Sequence, residues 1–297
     1  MTQKTDCSFG GNPEPIATVS PDEVIEIETY DCFANAVRPE RDLKEILESN
    51  EELFDNPITG PIYVEGAEQG DILTVDILKI EIGDLGVTAL VPGYGALEGW
   101  LTQVPPLTKF SRIIDGQVVF ETQRGKSIKI PAKPLIGTIG VAPLVESLST
   151  VTPLKHGGNL DTPYVTVGNR LYLPVNVKGA MFGVGDVHAQ QGNGEVCGTA
   201  VEVPAIVKLR FGLLKGKTIE WPRIESATEI MTVCSSRPLE DAARLAVREM
   251  IRWLVADYQF ENFEAYMLLS IAGHVEIAQI VNPFYTVVAK ISKELLS

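Results

Sequence analysis

Histidine is the scarcest titratable side chain in this 297-residue sequence, present only as His156, His188 and His274. A metal cage built from imidazoles alone could therefore draw on no more than these. Cysteine is nearly as sparse. Cys7, Cys32, Cys197 and Cys234 form no C-x-x-C pair, which leaves a zinc ribbon or a thioredoxin-like motif without support. Four scattered cysteines in a chain this long read as reduced thiols, and the protein as cytoplasmic. Positive charge is in deficit: 25 Lys and Arg against 39 Asp and Glu give −14. Such a surface repels phosphate backbones and anionic bilayers, so neither nucleic acid nor membrane is expected as a partner. The most apolar run, Met267 to Ala272, falls far short of bilayer thickness. Residues 1–15 are polar and lack the basic start and apolar stretch of a signal peptide. The G-x-S-x-G elbow, the P-loop and the dinucleotide fingerprint are missing as well. No internal repeat or low-complexity linker stands out.

What remains is mostly short strand patterns punctuated by Gly and Pro. Ile25, Ile27 and Thr29 alternate with Glu26 and Glu28, the pattern of a strand with one wet face. Asp71 to Ile80 is apolar on both parities. Ser127 to Ile130 alternates and stops at Pro131. Leu171, Leu173, Val175 and Val177 share one face, with Pro174 predicting an edge or a bulge. Val196 to Leu209 reads as one long strand, with Cys197, Val201, Val203 and Val207 on one side and Ala200 and Glu202 on the other. Helices are fewer. Leu43 to Ser49 fits a short one. Leu239 to Tyr258 has apolar residues near the helical period behind Pro238, where a missing N–H costs little. Asn262 to Ser270 follows, with Asn262 as its N-cap. The composition changes near residue 237, from strands to helices. This is a change of layer in one unit spanning 1–297, or at most two intimate subdomains, about 1–236 and 237–297. The fold class is mainly β, of jelly-roll, β-sandwich or barrel type, with an appended α/β portion containing a C-terminal helix pair.

Chemistry concentrates in Gly185-Asp186-Val187-His188-Ala189-Gln190-Gln191-Gly192-Asn193-Gly194-Glu195. Asp186 and His188 are two apart, so on an extended backbone both side chains point the same way. A carboxylate beside an imidazole can share a zinc-like cation with ligands from elsewhere. Glu202 sits in an apolar run, which is costly unless it is paired, hydrated or bound to metal. That makes it a candidate general base or ligand. His156-Gly157-Gly158-Asn159-Leu160-Asp161 suits a ligand-binding loop. Each feature also has a plainer reading: a hydrogen-bonded corner at Asp186, a salt bridge at Glu202, an ordinary turn at His156. His274, near Glu276, reads as a packing or capping residue. Cys197 reads as a buried, inert thiol.

These stretches together resemble the acetamidase/formamidase family over nearly the whole chain. Asn56-Pro57-Ile58-Thr59-Gly60-Pro61 resembles its N-P-x-T-G-P segment, and Gly137-Thr138-Ile139-Gly140-Val141-Ala142-Pro143 its G-x-x-G-V-A-P segment. His156 to Asp161 is similar to H-G-G-N-x-D. Gly185 to Glu195 with Glu202 is similar to the central G-D-x-H-A-x-Q-G-x-G-E block. Glu264-Ala265-Tyr266, Ser270 and Gln279-Ile280-Val281-Asn282-Pro283 also match. Gly273-His274-Val275-Glu276 departs from the expected Gly-Asp. The resemblance implies hydrolysis of formamide, acetamide or similar short amides to carboxylate and ammonia. It implies a homo-oligomer of at least two copies, and a divalent metal, zinc before calcium, near the central block. On this reading Asp186 and His188 are metal ligands, with His156 or Asp31 completing the shell. Glu202 is the general base, Glu195 its substitute, and Asn159 and Gln191 orient the amide. Two rivals stay open: a cupin-like metal-dependent oxygenase or isomerase, and a non-catalytic, calcium-stabilised module that binds small ligands.

Overall fold

The computed structural model describes residues 5–11, 13–49, 56–100 and 104–296. The alternation seen in the sequence becomes two facing sheets. In the strand Val24–Thr29, Ile25, Ile27 and Thr29 are buried while Glu26 and Glu28 stay in solvent. It pairs with Ala205–Leu214, which pairs in turn with the long strand Ile72–Ile82. Arg170–Pro174, Arg223–Glu225, Glu229–Ser236, Tyr285–Ser292 and His274–Gln279 continue this eight-stranded sheet. The opposing eleven-stranded sheet contains Ile58–Val64, Leu135–Gly140, Phe182–His188, Glu202–Val203 and Leu85–Leu90.

The main core fills the space between the sheets. Phe182 and Phe211, one from each, meet edge to face with centroids 5.0 Å apart. Leu73, Val75, Ile136, Val184, Val207 and Leu209 pack around them. Each such fully buried side chain is worth roughly 1.5–3 kcal/mol relative to leaving it in water. A second core lies on the outer side of the eight-stranded sheet. There Ala242, Ala246, Met250, Trp253 and Leu254 of the helix Leu239–Tyr258 cover Ile230, Val287, Ala289 and Ile291. The sheet runs on through residue 237: Tyr285–Ser292, beyond the helix pair, pairs along the whole of Glu229–Ser236. No helix among the described residues is long and apolar enough to cross a membrane.

The structure revises four details of the sequence reading. Residues 196–209 are not one strand. Glu202–Val203 lies in one sheet and Ala205–Leu214 in the other. The chain changes sheets at Pro204, whose missing N–H cannot continue a ladder. Cys197 thus lies on a loop, half-buried, with its Sγ 3.3 Å from the Thr199 carbonyl. Arg170–Pro174 is an interior strand. Pro174 is tolerated because Arg223–Glu225 reaches only Arg170 to Tyr172. The second C-terminal helix runs Asn262–Ala272 with Glu261, not Asn262, at its N-cap. His274 caps and packs nothing of note: it opens a strand and is exposed.

Candidate active site

Three backbone segments bring the polar residues together. Phe182–His188 runs antiparallel to Leu135–Gly140 on one side and to Ile58–Val64 on the other. At its end His188 sits directly opposite Glu202, the spacing at which cross-strand side chains touch. Within this strand Asp186 has φ of 53°, in the left-handed region. The ladder passes over it, pairing Gly185 with Thr138 and Val187 with Ile136. The space this needs is supplied by Gly137. A Cβ there would stand 2.5 Å from Asp161 Oδ1 and 2.7 Å from Asp186 Oδ2. Of the eleven described non-glycine residues with positive φ, four are Asn56, Asp161, Asp186 and Glu195. Backbone strain is thus gathered where the polar groups converge.

His188 is the hub. Its Nδ1 lies 2.9 Å from Gln191 Oε1, and its Nε2 lies 3.1 Å from Asp186 Oδ1. The Gln191 amide nitrogen donates to the carbonyls of Asp161, at 2.6 Å, and Ala278, at 3.3 Å. Its oxygen must therefore be the acceptor, so Nδ1 carries a hydrogen. Glu202 Oε1 accepts from the Ala200 N–H at 2.7 Å. Glu202 Oε2 is 3.1 Å from His188 Nε2 but off the line of its N–H, and has no hydrogen-bond partner. Thr138 bridges Asn159, Asn56 and Asp186. Asn282 donates to the Asn159 carbonyl at 3.0 Å and to Asp161 Oδ2 at 2.6 Å.

Burial and like charge set the ionisation. Burial lifts the Glu202 carboxyl to about 8, with Asp186 adding to the lift and His188 opposing it. Burial also lifts Asp161 to about 7 and, together with the neighbouring Asp161 charge, pushes Glu195 well above the usual carboxylate range. Burial works against the charged forms of Asp186 and His188 too. There attraction and hydrogen bonding win: His188 holds Asp186 below its ordinary value, and Glu202 and Asp186 together hold His188 well above its own.

The cluster opens on a cavity of about 350 Å³. Asp186, Glu195 and Glu202 line it, with Asn159, Asn282 and Cys32 among the other walls. Three groups of side chains could grip a cation, each with its ligand atoms within 4.8 Å of one another: Asp161–Asp186–His188, His188–Glu195–Glu202 and Cys32–Asp186–Glu202. Asp161 Oδ1, Glu195 Oε2 and Glu202 Oε2 are buried oxygens without a partner. Buried carboxyl oxygens left unpaired in a dry setting are what a divalent cation would satisfy, displacing the protons that burial favours.

Of the residues singled out in the sequence, the structure gathers Asp186, His188, Glu195, Glu202 and Asn159. Gln191 belongs to the cluster, but both ends of its amide are engaged within the protein, so it orients His188 and not a substrate. His156 and Asp31 are corrections. His156 is buried against Phe9, ring centroids 5.1 Å apart, beside a different cavity lined by Trp221 and Phe284. Neither of its nitrogens has a partner, and burial lowers its pKa to about 4. Asp31 Oδ1 is spent on its own turn, accepting from the N–H groups of Phe33 and Asn35 at 2.9 and 2.7 Å. Burial, set against these two bonds, raises Asp31 to about 6. Three contributors were given no individual role in the sequence reading: Asp161, quoted only within its loop, Asn56, quoted only within its motif, and Cys32, which is adjacent to the Asp31 that drew attention.

The Acetamidase/Formamidase family pattern matches residues 11–149 and 144–295. A formamidase of Methylophilus methylotrophus is 31% identical over an alignment of 215 positions, with 53% of this chain and 51% of that protein covered. An acetamidase of Mycolicibacterium smegmatis is 28% identical over an alignment of 225 positions, with 54% of this chain and 53% of that protein covered. The chain spans about half the length of these curated relatives. Among solved structures, an acetamidase from Yersinia enterocolitica superposes with a TM-score of 0.91 at 38% identity, covering 98% of this chain and 89% of that one. An acetamidase from Bacillus halodurans gives 0.90 at 37% identity, covering 98% and 96%.

Proposed function

Since the chain belongs to the acetamidase/formamidase family, we propose that it hydrolyses a short linear amide, of the formamide or acetamide type, to carboxylate and ammonia. The observation that carries this reading is the dry Asp186–His188–Glu202 cluster at the wall of a cavity of about 350 Å³. Amide cleavage needs a deprotonated water, a stabiliser for the oxyanion and a proton for the leaving amine. Asp186 and His188 would hold a divalent cation, zinc before calcium. Such an ion supplies an acidified water and a Lewis acid for the carbonyl.

The chain's own groups carry the rest. Glu202 Oε2 accepts no well-directed hydrogen bond, although it lies 3.1 Å from His188 Nε2. Glu202 is the group to take a proton from water and return it to the amine. Glu195, on the same cavity wall, is its substitute. Gln191 fixes the His188 ring through Nδ1, so Nε2 faces the carboxylates. Asn159 stands in the cavity wall with its Oδ1 accepting from Thr138, ready to orient the substrate amide. A cupin-like oxygenase is less well served, because a facial triad uses two histidines. Here His156 packs against Phe9 and His274 opens an exposed strand. A homo-oligomer fits the apolar side chains left in water on the helix Asn262–Ala272, where Phe263 and Ile271 are 81% and 83% exposed. A cytoplasmic location fits the few, scattered cysteines.

The test is ammonia release over a panel of short amides, with and without a chelator. Turnover of one or more, lost on chelation and restored by zinc, supports the reading. Saturable binding with no ammonia or carboxylate formed would leave a binding module instead.

A further inference from the structure

Cys32 stands where the strand Val24–Thr29 leaves its sheet. The turn is fixed from both sides. Asp31 Oδ1 accepts from the Phe33 and Asn35 N–H groups, and the Cys32 carbonyl accepts from the Asn56 N–H at 2.9 Å. Asp31 is thereby turned onto its own backbone and Cys32 onto the cavity wall, beside Asp186 and Glu202. Its Sγ and one carboxylate oxygen of each lie within 4.8 Å of one another. Glu202 is 2% exposed, and its Oε2 has no partner. On one side Cys32 packs against the apolar cluster of Phe33, Leu43 and Val87. On the cavity side it faces two carboxylates, which repel a thiolate unless a cation lies between them.

We propose that Cys32 is a thiolate ligand to a cation held at Asp186, and that it makes the site select a zinc-like, thiophilic ion over calcium. The inference rests on the metal-assisted reading above and goes beyond it in naming a sulfur ligand as the cause of the zinc preference. Soft sulfur ligands favour zinc and its neighbours, whereas calcium takes oxygen alone. On binding, a metal–sulfur bond forms and the thiol proton leaves to solvent.

The test is titration of the chelator-stripped full chain with cobalt(II) chloride, followed by absorption. Visible d–d bands report that the metal is bound, and a near-ultraviolet thiolate-to-cobalt charge-transfer band reports sulfur in the shell. Both are expected in the natural protein, undiminished by excess calcium chloride. Cys32→Ser is expected to keep the d–d bands, lose the charge-transfer band and need on the order of tenfold or more cobalt. A Cys7→Ser/Cys197→Ser double variant is expected to keep both bands; with Cys234 sealed in the core under the helix Leu239–Tyr258, this assigns the signal even if Cys32→Ser folds poorly. Visible bands without the charge-transfer band in the natural protein would overturn the inference and leave the metal reading standing. No cobalt bands at all would remove both.

Discussion

Asp186 reaches His188 by a different backbone from the one its spacing implies. Two residues apart on an extended strand would suffice, yet Asp186 is left-handed and bulges toward Gly137. The pairing of the two side chains was legible because it is local. The strain was not, since it depends on a glycine 49 positions away in sequence (186 minus 137). Gly137→Ala should therefore displace the Asp186 carboxylate. A shift near 1 Å costs on the order of 10²-fold in turnover. Steady-state rates alongside far-ultraviolet circular dichroism would check this, and an unaffected rate would remove the role given to Gly137. Gln191→Leu should leave His188 Nδ1 without its acceptor. A loss of about 10- to 100-fold in metal affinity is expected, read by competition with a chromogenic chelator. Glu202 was legible as a carboxylate in an apolar run. Asp161 was legible only as part of its loop, and Asn56 and Cys32 were not, because only the fold brings them near. His156 illustrates the converse: the Gly-rich motif was visible, but its side chain falls on the far side, against Phe9.

At the scale of elements, the C-terminal segment braces the site. The Gly194 N–H donates to the Ala278 carbonyl at 2.8 Å, and the Ile280 N–H to the Gly194 carbonyl at 3.1 Å. Fully buried Gln279 accepts from the N–H groups of Val281 and Asn282 and donates to Phe284 and Thr286. This loop delivers Asn282 to Asp161. Gln279→Ala would strand several buried groups at roughly 1–3 kcal/mol each. A lowered urea midpoint together with reduced turnover is the expected result, and loss of only one of the two would separate scaffold from site.

A second bracket is electrostatic. Glu220 meets Lys155 at 2.5 Å and Arg252 at 2.7 Å, tying the helix Leu239–Tyr258 to the 155 loop. These partners hold its carboxyl at about 2, below the ordinary 4.5. A depressed folded-state pKa means the stabilisation is full above pH 4.5 and lost as pH falls through 2. Glu220 is 38% exposed, so the effect is small and screened by salt. The urea midpoint of Glu220→Gln should lie below that of the natural protein at pH 6, with the gap closing toward pH 2. A gap independent of pH would assign Glu220 another role. The helix itself was legible in its period. The sheet change at Pro204 was not, since either side of the proline reads equally well as strand.

Across the whole molecule, strand content and the late helix pair follow from local periodicity, and two facing sheets follow from how one-sided strands bury their apolar faces. Which strand neighbours which is a matter of long-range pairing, as in Val24–Thr29 against Ala205–Leu214, and no local pattern encodes it. The site lies where this architecture joins distant segments: residues 32, 56, 137–138, 159–161, 186–202 and 282 meet at one cavity. Its centre is a dry histidine between two carboxylates, one of which keeps an unpartnered oxygen. The most direct test measures metal content and ammonia release on the same preparations of the natural protein and Glu202→Gln. If Glu202 moves the proton, the variant keeps its fold and its metal and loses about 10²- to 10⁴-fold in rate. Turnover close to that of the natural protein would contradict the account.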